Sequence, residues 1–499
     1  MAAGGKDNDR RRLKAALFLA VCLAAGYAPH RLDPVRGLVP AATLALLLTL
    51  YSLLRVLRPV GRSRSDTTPP APFEPEAAPA VDVVVAARDE EAVIVRLVER
   101  LTRLRWPAER LRLWVIDDGS EDRTPDLLAD QARQRPQLRV LRRERNAGGG
   151  KSGALNLVLE QLQGRWMLVL DADAELQPDT LERLIPFAEA GGWSAVQLRK
   201  AVVNAEVNLL TRAQALEMAL DAVVQEGRLA AGGVGELRGN GQLLLREGIH
   251  RAGGFNEATV TDDLDLSFRF LLAGQPIAVL WDPPVQEEAV LTLPALWRQR
   301  QRWAEGGLQR FFDYWPRLVQ GPLSGSQGLD LACFFLLQYG LPVLAASDLL
   351  AALLTRTLPT AWPFSILALA LSGVAMVVAA RRPREGPALP PIGPFHFVLG
   401  IVYLTHWFVV IPWVTLRMAL LPKRLVWAKT LHLGDGHGGD GHAGEGHDQK
   451  GAAGVAPVAP VLGPPLQRLD ASEAASSEAP DCERPEGLDP DLTVEPRGV

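Results

Sequence analysis

The sequence predicts an α/β catalytic domain on a mostly parallel sheet, with membrane-spanning helices at both of its ends. Long apolar runs open the chain at Leu13–Ala28 and Leu38–Leu57 and return after Gly328. Between them, short β-type runs alternate with segments whose apolar residues recur at helical spacing, the pattern of strands and crossover helices in a sheet covered on both faces. The 499 residues are 48% hydrophobic, and this share is gathered into the runs, as in a protein that meets lipid.

The N-terminal unit, residues 1–60, reads as a helix pair. About 20 apolar residues cross a bilayer, and a second spanning run follows the first without a convincing A-x-A-like site, which argues against a cleaved signal peptide. Arg10, Arg11 and Arg12 precede the first run, and Arg55 and Arg58 end the second. Basic residues on both outer flanks predict that the N-terminus and the catalytic domain are cytoplasmic. Residues 61–80, rich in Pro, Ser and Thr, form a linker.

The catalytic domain spans residues 81–327, with strands expected at Val81–Ala86, Leu111–Ile116, Leu138–Leu141 and Met167–Leu170, and helical spacing at Glu91–Arg103 and Thr124–Gln134. Ligands on such sheets sit beyond the carboxyl ends of the strands. Residues 328–433 hold three further spans, Leu329–Leu354, Trp362–Ala380 and Phe395–Leu421, with Asp330, Asp348 and His406 as polar members. Gln338–Pro342 could break the first of them into a re-entrant element. Three spans leave Lys423, Arg424 and Lys429 outside while Arg381, Arg382 and Arg384 stay inside, so one basic cluster conflicts with the positive-inside rule. Residues 434–499 are a disordered tail of Gly, Ala, Pro and acidic residues. It carries −9 of charge, so the rest of the chain is +5 against a total of −4, a balance suited to anionic lipid. Its His437, His442 and His447, with His432 just before it, read either as a metal store or as low-complexity sequence. Cys22, Cys333 and Cys482 lie far apart, which excludes a disulfide framework and a zinc cluster.

Five constellations carry chemistry. Asp117-Asp118-Gly119-Ser120 ends the second strand, where two carboxylates can accept hydrogen bonds from a base or ribose, or form an Asx turn. Asp171-Ala172-Asp173 ends the fourth. Residues i and i+2 share a strand face, and two carboxylates there suit Mg²⁺ or Mn²⁺ shared with a diphosphate. Asn146–Gly153 is a glycine loop with Lys151 opening a helix; it fails the Walker spacing because Arg145 stands where Gly is required. It still offers N–H groups and a cation to phosphate. Thr261 can cap a helix that begins with Asp262 and Asp263, and an ionised Asp across the cleft could serve as general base. Gln299, Arg302 and Trp303 fall at i, i+3 and i+4 of a helix, presenting an amide, a guanidinium suited to diphosphate and a flat ring.

As a set, Asp117-Asp118-Gly119, Asp171-x-Asp173, Thr261-Asp262-Asp263 and Gln299-x-x-Arg302-Trp303 resemble the membrane-bound members of glycosyltransferase family 2, over about Val81–Trp315. The resemblance implies a GT-A fold, a nucleotide-sugar donor, a divalent cation and inversion at the anomeric carbon. It implies that Asp117 and Asp118 contact uridine, Asp171 the ribose or phosphate, and Asp173 the metal. Asp263 would be the base, with Asp262 beside it; Gln299, Arg302 and Trp303 would hold diphosphate and acceptor. Lys151 would meet the nucleotide, and Glu90 is carried over although Ala86 and Ala87 stand where many members have a Pro.

A narrower resemblance, to lipid glucosyltransferases of cyanobacteria, rests on Gly149–Asn156, Val196–Ala201, Gly235–Gln242, Arg302–Gly307 and Trp427–His432. It implies transfer of glucose from UDP-glucose to diacylglycerol in a thylakoid or plasma membrane. It implies neither nucleic acid nor an obligate protein partner. Processive polysaccharide synthases share the four motifs. They resemble one another, however, in a Phe-Cys-Gly-Ser/Thr-like segment where this chain has Arg238-Gly239-Asn240-Gly241. A non-catalytic nucleotide-binding scaffold would be expected to lack a motif carboxylate, and none is missing.

Overall fold

The computed structural model describes residues 3–32, 34–56, 73–74, 76–391 and 393–422. Most of the expected linker, the acidic tail, the Trp427–His432 segment, Lys423, Arg424, Lys429 and Cys482 lie outside the described residues.

Two helices, α1 (Ala3–Tyr27) and α2 (Pro34–Val56), precede β1 (Val81–Ala87). Then follow α3 (Ile94–Leu101), β2 (Leu111–Asp118), α4 (Thr124–Gln134), β3 (Leu138–Arg143), α5 (Gly150–Leu159) and β4 (Trp166–Leu170). The second half of the domain holds α6 (Thr180–Gly191), β5 (Ala195–Val202), α7 (Leu209–Ala230), β6 (Gln242–Leu245), α8 (Arg246–Arg251), α9 (Asp262–Leu272) and β7 (Ile277–Glu287). A 28-residue helix, α10 (Leu293–Gln320), leads to α11 (Gly325–Phe335), α12 (Leu341–Thr355), α13 (Trp362–Arg381), α14 (Pro394–Leu404) and α15 (Trp407–Leu420).

The strands form one seven-stranded sheet in the order β3-β2-β1-β4-β6-β5-β7. All neighbours are parallel except β6, which runs antiparallel to both β4 and β5. The first four strands lie where the alternating pattern places them. The last three are not in that reading: β6 has four residues and reverses direction, so no crossover helix announces it. β1 and β4 are buried along their whole length, as expected for strands covered on both faces. The turn after β2 depends on Gly119, whose φ of +71° lies in the left-handed region and whose missing Cβ leaves room for the Arg145 backbone.

Four described helices are long and apolar enough to cross a membrane: Arg10–Arg31, Gly325–Thr355, Trp362–Arg381 and Pro394–Leu420. Gln338–Pro342 does not break its helix. The chain passes Leu336–Gly340 as one π-helical turn, and α11 and α12 continue each other. The far ends of α1 and α12 are tied by His30, whose Nε2 lies 2.9 Å from Asp348. Asp348 also accepts the backbone N–H groups of Thr360 and Ala361 at the start of α13. The opposite ends are anchored on the catalytic domain: Arg11 pairs with Glu305, Arg382 with Glu226, and Arg417 with Glu305. Asp330 receives Arg228 at 2.9 Å and Tyr51 at 2.9 Å. Gly306 and Gly307 allow α10 to lie directly against Thr261 and Tyr339, since a Cβ at either would overlap those side chains.

Candidate active site

A cavity of about 910 Å³ opens beyond the carboxyl edges of β1, β2 and β4 and continues between the C-terminal helices. Of the residues singled out by sequence, Glu90, Asp118, Lys151, Asp171, Asp173, Asp262, Asp263, Gln299, Arg302 and Trp303 line it. Asp117 does not. Its Oδ1 accepts the Ser120 N–H at 2.9 Å, closing the turn, and the side chain is buried. The adjacent pair thus divides into a turn-forming Asp117 and a cavity-lining Asp118.

Asp118 is held by Arg143 at 2.7 Å and faces Arg88 at 3.6 Å. Burial raises its carboxyl above the ordinary range more than these guanidiniums lower it. Arg143 also donates to the carbonyls of Gly148 and Gly150, so it fastens the glycine loop to the end of β2. Asp89, one residue before Glu90, takes a positive φ of 54° and accepts the Glu121 N–H. The loops after β1 and β2 are therefore locked together around the end of the cavity lined by Glu90 and Asp118.

Pairing in β4 stops at Leu170, so Asp171 and Asp173 stand in the following turn and the strand-face argument for them does not hold. Asp171 receives Lys151 Nζ at 2.6 Å and its backbone N–H donates to the buried Asn240. Burial works to raise the Asp171 carboxyl, but Lys151, Lys200 and Arg302 outweigh it and hold it low. Lys151 is thus held by an ion pair on the cavity wall. Asp173 accepts the Glu288 N–H at 3.0 Å. Among the described residues no three His, Cys, Asp or Glu form a metal cage. The donor set is instead two carboxylates in one turn, with the Asp262 Oδ2, buried and without a hydrogen-bond partner, on the same cavity. That fits a hard divalent cation which takes its remaining oxygens from a diphosphate and water.

Asp262 and Asp263 open α9. Thr261 occupies the N-cap position but does not cap: its Oγ1 is buried with no hydrogen-bond partner, because α10 presses Gly306 against it. Burial pushes the Asp263 carboxyl up to about 6, and the Asp262 carboxylate adds to this, against the Leu264 N–H and the ammonium groups of Lys151 and Lys200. Gly239, with φ +87°, passes beside the Asp263 carboxylate.

Gln299, Arg302 and Trp303 face the cavity from α10, while Arg300 is buried behind them and donates to Gln299 at 3.3 Å. Arg300 pairs with Glu217 and donates to Tyr403 at 2.9 Å, and Trp407 donates to Glu217 at 2.9 Å. The Arg300 guanidinium also lies 4.0 Å from the Trp303 ring centroid, with Lys200 Nζ 5.8 Å from it. Sequence reasoning missed Lys200, Glu217, Arg238, Glu287 and Arg310 on this cavity. Lys200, paired with Glu287 at 2.9 Å, had a signal in the charged Arg199-Lys200 step inside an apolar strand. Glu217 had none, since its partner is 83 residues away. Replacing Glu217 by Ala leaves the Arg300 charge buried without its carboxylate, which costs about 3–5 kcal/mol. The expected result is a lower melting temperature in detergent together with weaker acceptor use.

Sheet and cavity together define a GT-A-type sugar transferase. Family models for glycosyl transferase family 2 and glycosyl transferase family group 2 match residues 82–249 and 166–421. The chain is 43% identical over 436 residues to the beta-monoglucosyldiacylglycerol synthase of Synechocystis sp., covering 86% of this chain and 89% of that one. It is 41% identical over 430 residues to the synthase of the same name from Trichormus variabilis, covering 85% and 90%. Among solved structures, a mannosyltransferase of Pyrobaculum calidifontis in complex with GDP-Man and Mn2+ shares the fold, with TM-score 0.52 and 21% identity over 75% of this chain and 99% of that one. The chain belongs to glycosyltransferase family 2, in the branch that holds these glycolipid synthases.

Proposed function

We propose that this chain transfers glucose from UDP-glucose to the sn-3 hydroxyl of 1,2-diacylglycerol with inversion, giving β-monoglucosyldiacylglycerol. In this reading it is a multi-pass membrane protein with its catalytic domain in the cytoplasm. The observation that carries the reading is a single cavity with two chemistries. One end is lined by Asp118, Lys151, Asp171 and Asp173, the other by apolar residues of helices long enough to cross a membrane, and Asp263 belongs to the same cavity. The similarity to the two beta-monoglucosyldiacylglycerol synthases supports the choice of sugar and acceptor.

The chemistry follows from the residues. Asp263, ionised, accepts the proton of the acceptor hydroxyl. The oxygen forms its bond to C1 of glucose as the bond from C1 to the β-phosphate oxygen breaks on the opposite face, and that electron pair leaves on UDP. Arg302 and Lys151 bring positive charge to the departing diphosphate. Asp171 and Asp173 would hold Mg²⁺ or Mn²⁺, which when bound supplies further charge stabilisation at the diphosphate. Asp118 and Glu90 remain for the nucleoside, and Trp303 offers a flat ring to the sugar or acceptor.

Turnover in bilayer discs with UDP-glucose and diacylglycerol tests this, the product's anomeric proton being read by NMR; a β-glucoside is expected, and an α-glucoside or free glucose alone would refute inversion onto the lipid. Because the base must be ionised and its carboxyl is pushed up to about 6, kcat is expected to fall about tenfold per pH unit below about pH 6 and to level off above it. A profile flat down to pH 4.5 would remove Asp263 from this role.

A further inference from the structure

The apolar end of the cavity and one buried guanidinium in its wall are left unused by the chemistry above. Leu337, Leu341, Pro342, Ala368, Ser372 and Phe408 line that end, from the π-helical turn, α12, α13 and α15. Ala368 and Ser372 are i and i+4, one face of α13 turned to the cavity.

Two arginines, the half-buried Arg238 and the buried Arg310, border this region. Arg238 is fully engaged: Nε and Nη2 donate to Asp221 and Nη1 to Glu236. Arg310 is not. It is 2% exposed, its Nε and Nη1 have no hydrogen-bond acceptor among the described residues, and its one carboxylate neighbour is Glu236, 3.2 Å from Nη1. Glu236 is itself shared with Arg238 at 2.7 Å and Arg228 at 3.5 Å. Arg310 also hydrogen-bonds the Tyr339 hydroxyl, and aromatic rings surround the guanidinium, with the Phe268, Phe311 and Phe334 centroids 4.6, 5.2 and 5.9 Å away; Nε and Nη1 remain the donors without an acceptor.

A buried donor without an acceptor is costly, and a cation already neutralised by a carboxylate gains little from a second anion. The missing partner is therefore a neutral oxygen acceptor carried by a mostly apolar molecule. Taking the acceptor from the reading above, we propose that Arg310 donates to an ester carbonyl of the bound diacylglycerol. The acyl chain beyond that ester lies in the slot between α12 and α13, which orients the sn-3 hydroxyl toward Asp263. Arg310 is then a specificity residue that distinguishes an acyl ester from an alkyl ether or a simple long-chain alcohol.

The test compares dioleoylglycerol with its dialkyl ether analogue, which has the same chains and hydroxyl but no carbonyl. The full-length protein in bilayer discs is expected to use the diester at least about tenfold more efficiently in kcat/KM. Arg310→Lys keeps the charge beside Glu236 but not the planar fork, and Arg310→Gln keeps a donor without charge. Both are expected to raise the KM for the diester and to bring the two lipids within about threefold, with the KM for UDP-glucose unmoved. Should both variants lower activity on ester and ether by the same factor, Arg310 only supports the fold and the inference fails.

Ser372→Phe probes the slot without touching the charged cluster. It is expected to raise the ratio of dihexanoylglycerol to dioleoylglycerol turnover by about tenfold, and an unchanged ratio would put the chains elsewhere. A wild-type protein that glucosylates neither lipid would overturn the proposed function itself. One that glucosylates ester and ether equally would overturn only the role of Arg310.

Discussion

Asp263→Asn is expected to lower turnover about a thousandfold while leaving UDP-glucose binding within a few-fold of the wild type. The substitution keeps shape and removes only the capacity to take a proton, and general base catalysis of this kind is worth about 10²–10⁴. The site explains why this carboxylate and not Asp262 is expected to matter most for proton transfer. Burial and the neighbouring Asp262 push it up to about 6, close to working pH, where a base is both ionised and strong enough to act. Asp263 also opens α9 beside Gly239, so the acceptor hydroxyl can approach over bare backbone. Isothermal titration of UDP with the variant separates the two effects. Binding lost together with turnover would mean that Asp263 holds the donor site together instead of acting on the acceptor.

The second large effect is expected at Asp173. Asp173→Ala removes one of two carboxylates offered to a divalent cation, and the charge stabilisation lost at the leaving diphosphate is several kcal/mol, about a thousandfold in rate. The discriminating readout is the metal dependence. Wild-type turnover is expected to vanish in EDTA and return with Mg²⁺ or Mn²⁺, whereas the variant should need far more metal for half of its residual rate. Asp173 also accepts the Glu288 N–H after β7, so Asp173→Asn, which keeps an acceptor oxygen there, is the control for structural damage. If the Asn variant binds metal and turns over like the wild type, the carboxylate is a turn-forming group only.

The convergence of Asp118, Lys151, Asp171 and Asp173 on one cavity was legible in the sequence because they stand in short motifs at or just beyond strand ends. Asp118, Lys151, Asp171 and Asp173 all follow short β-type runs, and the glycine loop could be recognised despite failing the Walker spacing. Finer assignments failed where tertiary contacts decide. Nothing local distinguishes Asp117, turned back to Ser120, from Asp118, turned to Arg143. Thr261 has the residue type of a cap, yet the approach of Gly306 on α10 takes its hydroxyl away from that task.

The helical half was legible as apolar runs but not as a site. Glu217, Arg300 and Tyr403 meet across more than 80 residues of sequence, and Arg310 lies in a stretch of α10 that reads as an ordinary amphipathic surface. Of the two basic clusters in conflict, Lys423, Arg424 and Lys429 lie outside the described residues, while Arg382 of the other pairs with Glu226 on α7, a relation that counting flanking charges does not contain.

The central claim is that one glucose passes from UDP-glucose to a lipid hydroxyl at Asp263. Its most direct test is the fate of radiolabelled UDP-glucose in membranes containing this chain, supplied with diacylglycerol and a divalent cation. The account predicts label in a single chloroform-soluble monoglucosyl lipid, absent with chelator and in the Asp263→Asn variant. Label collected instead in an ethanol-insoluble polymer, or a glucolipid formed undiminished by the variant, would contradict it.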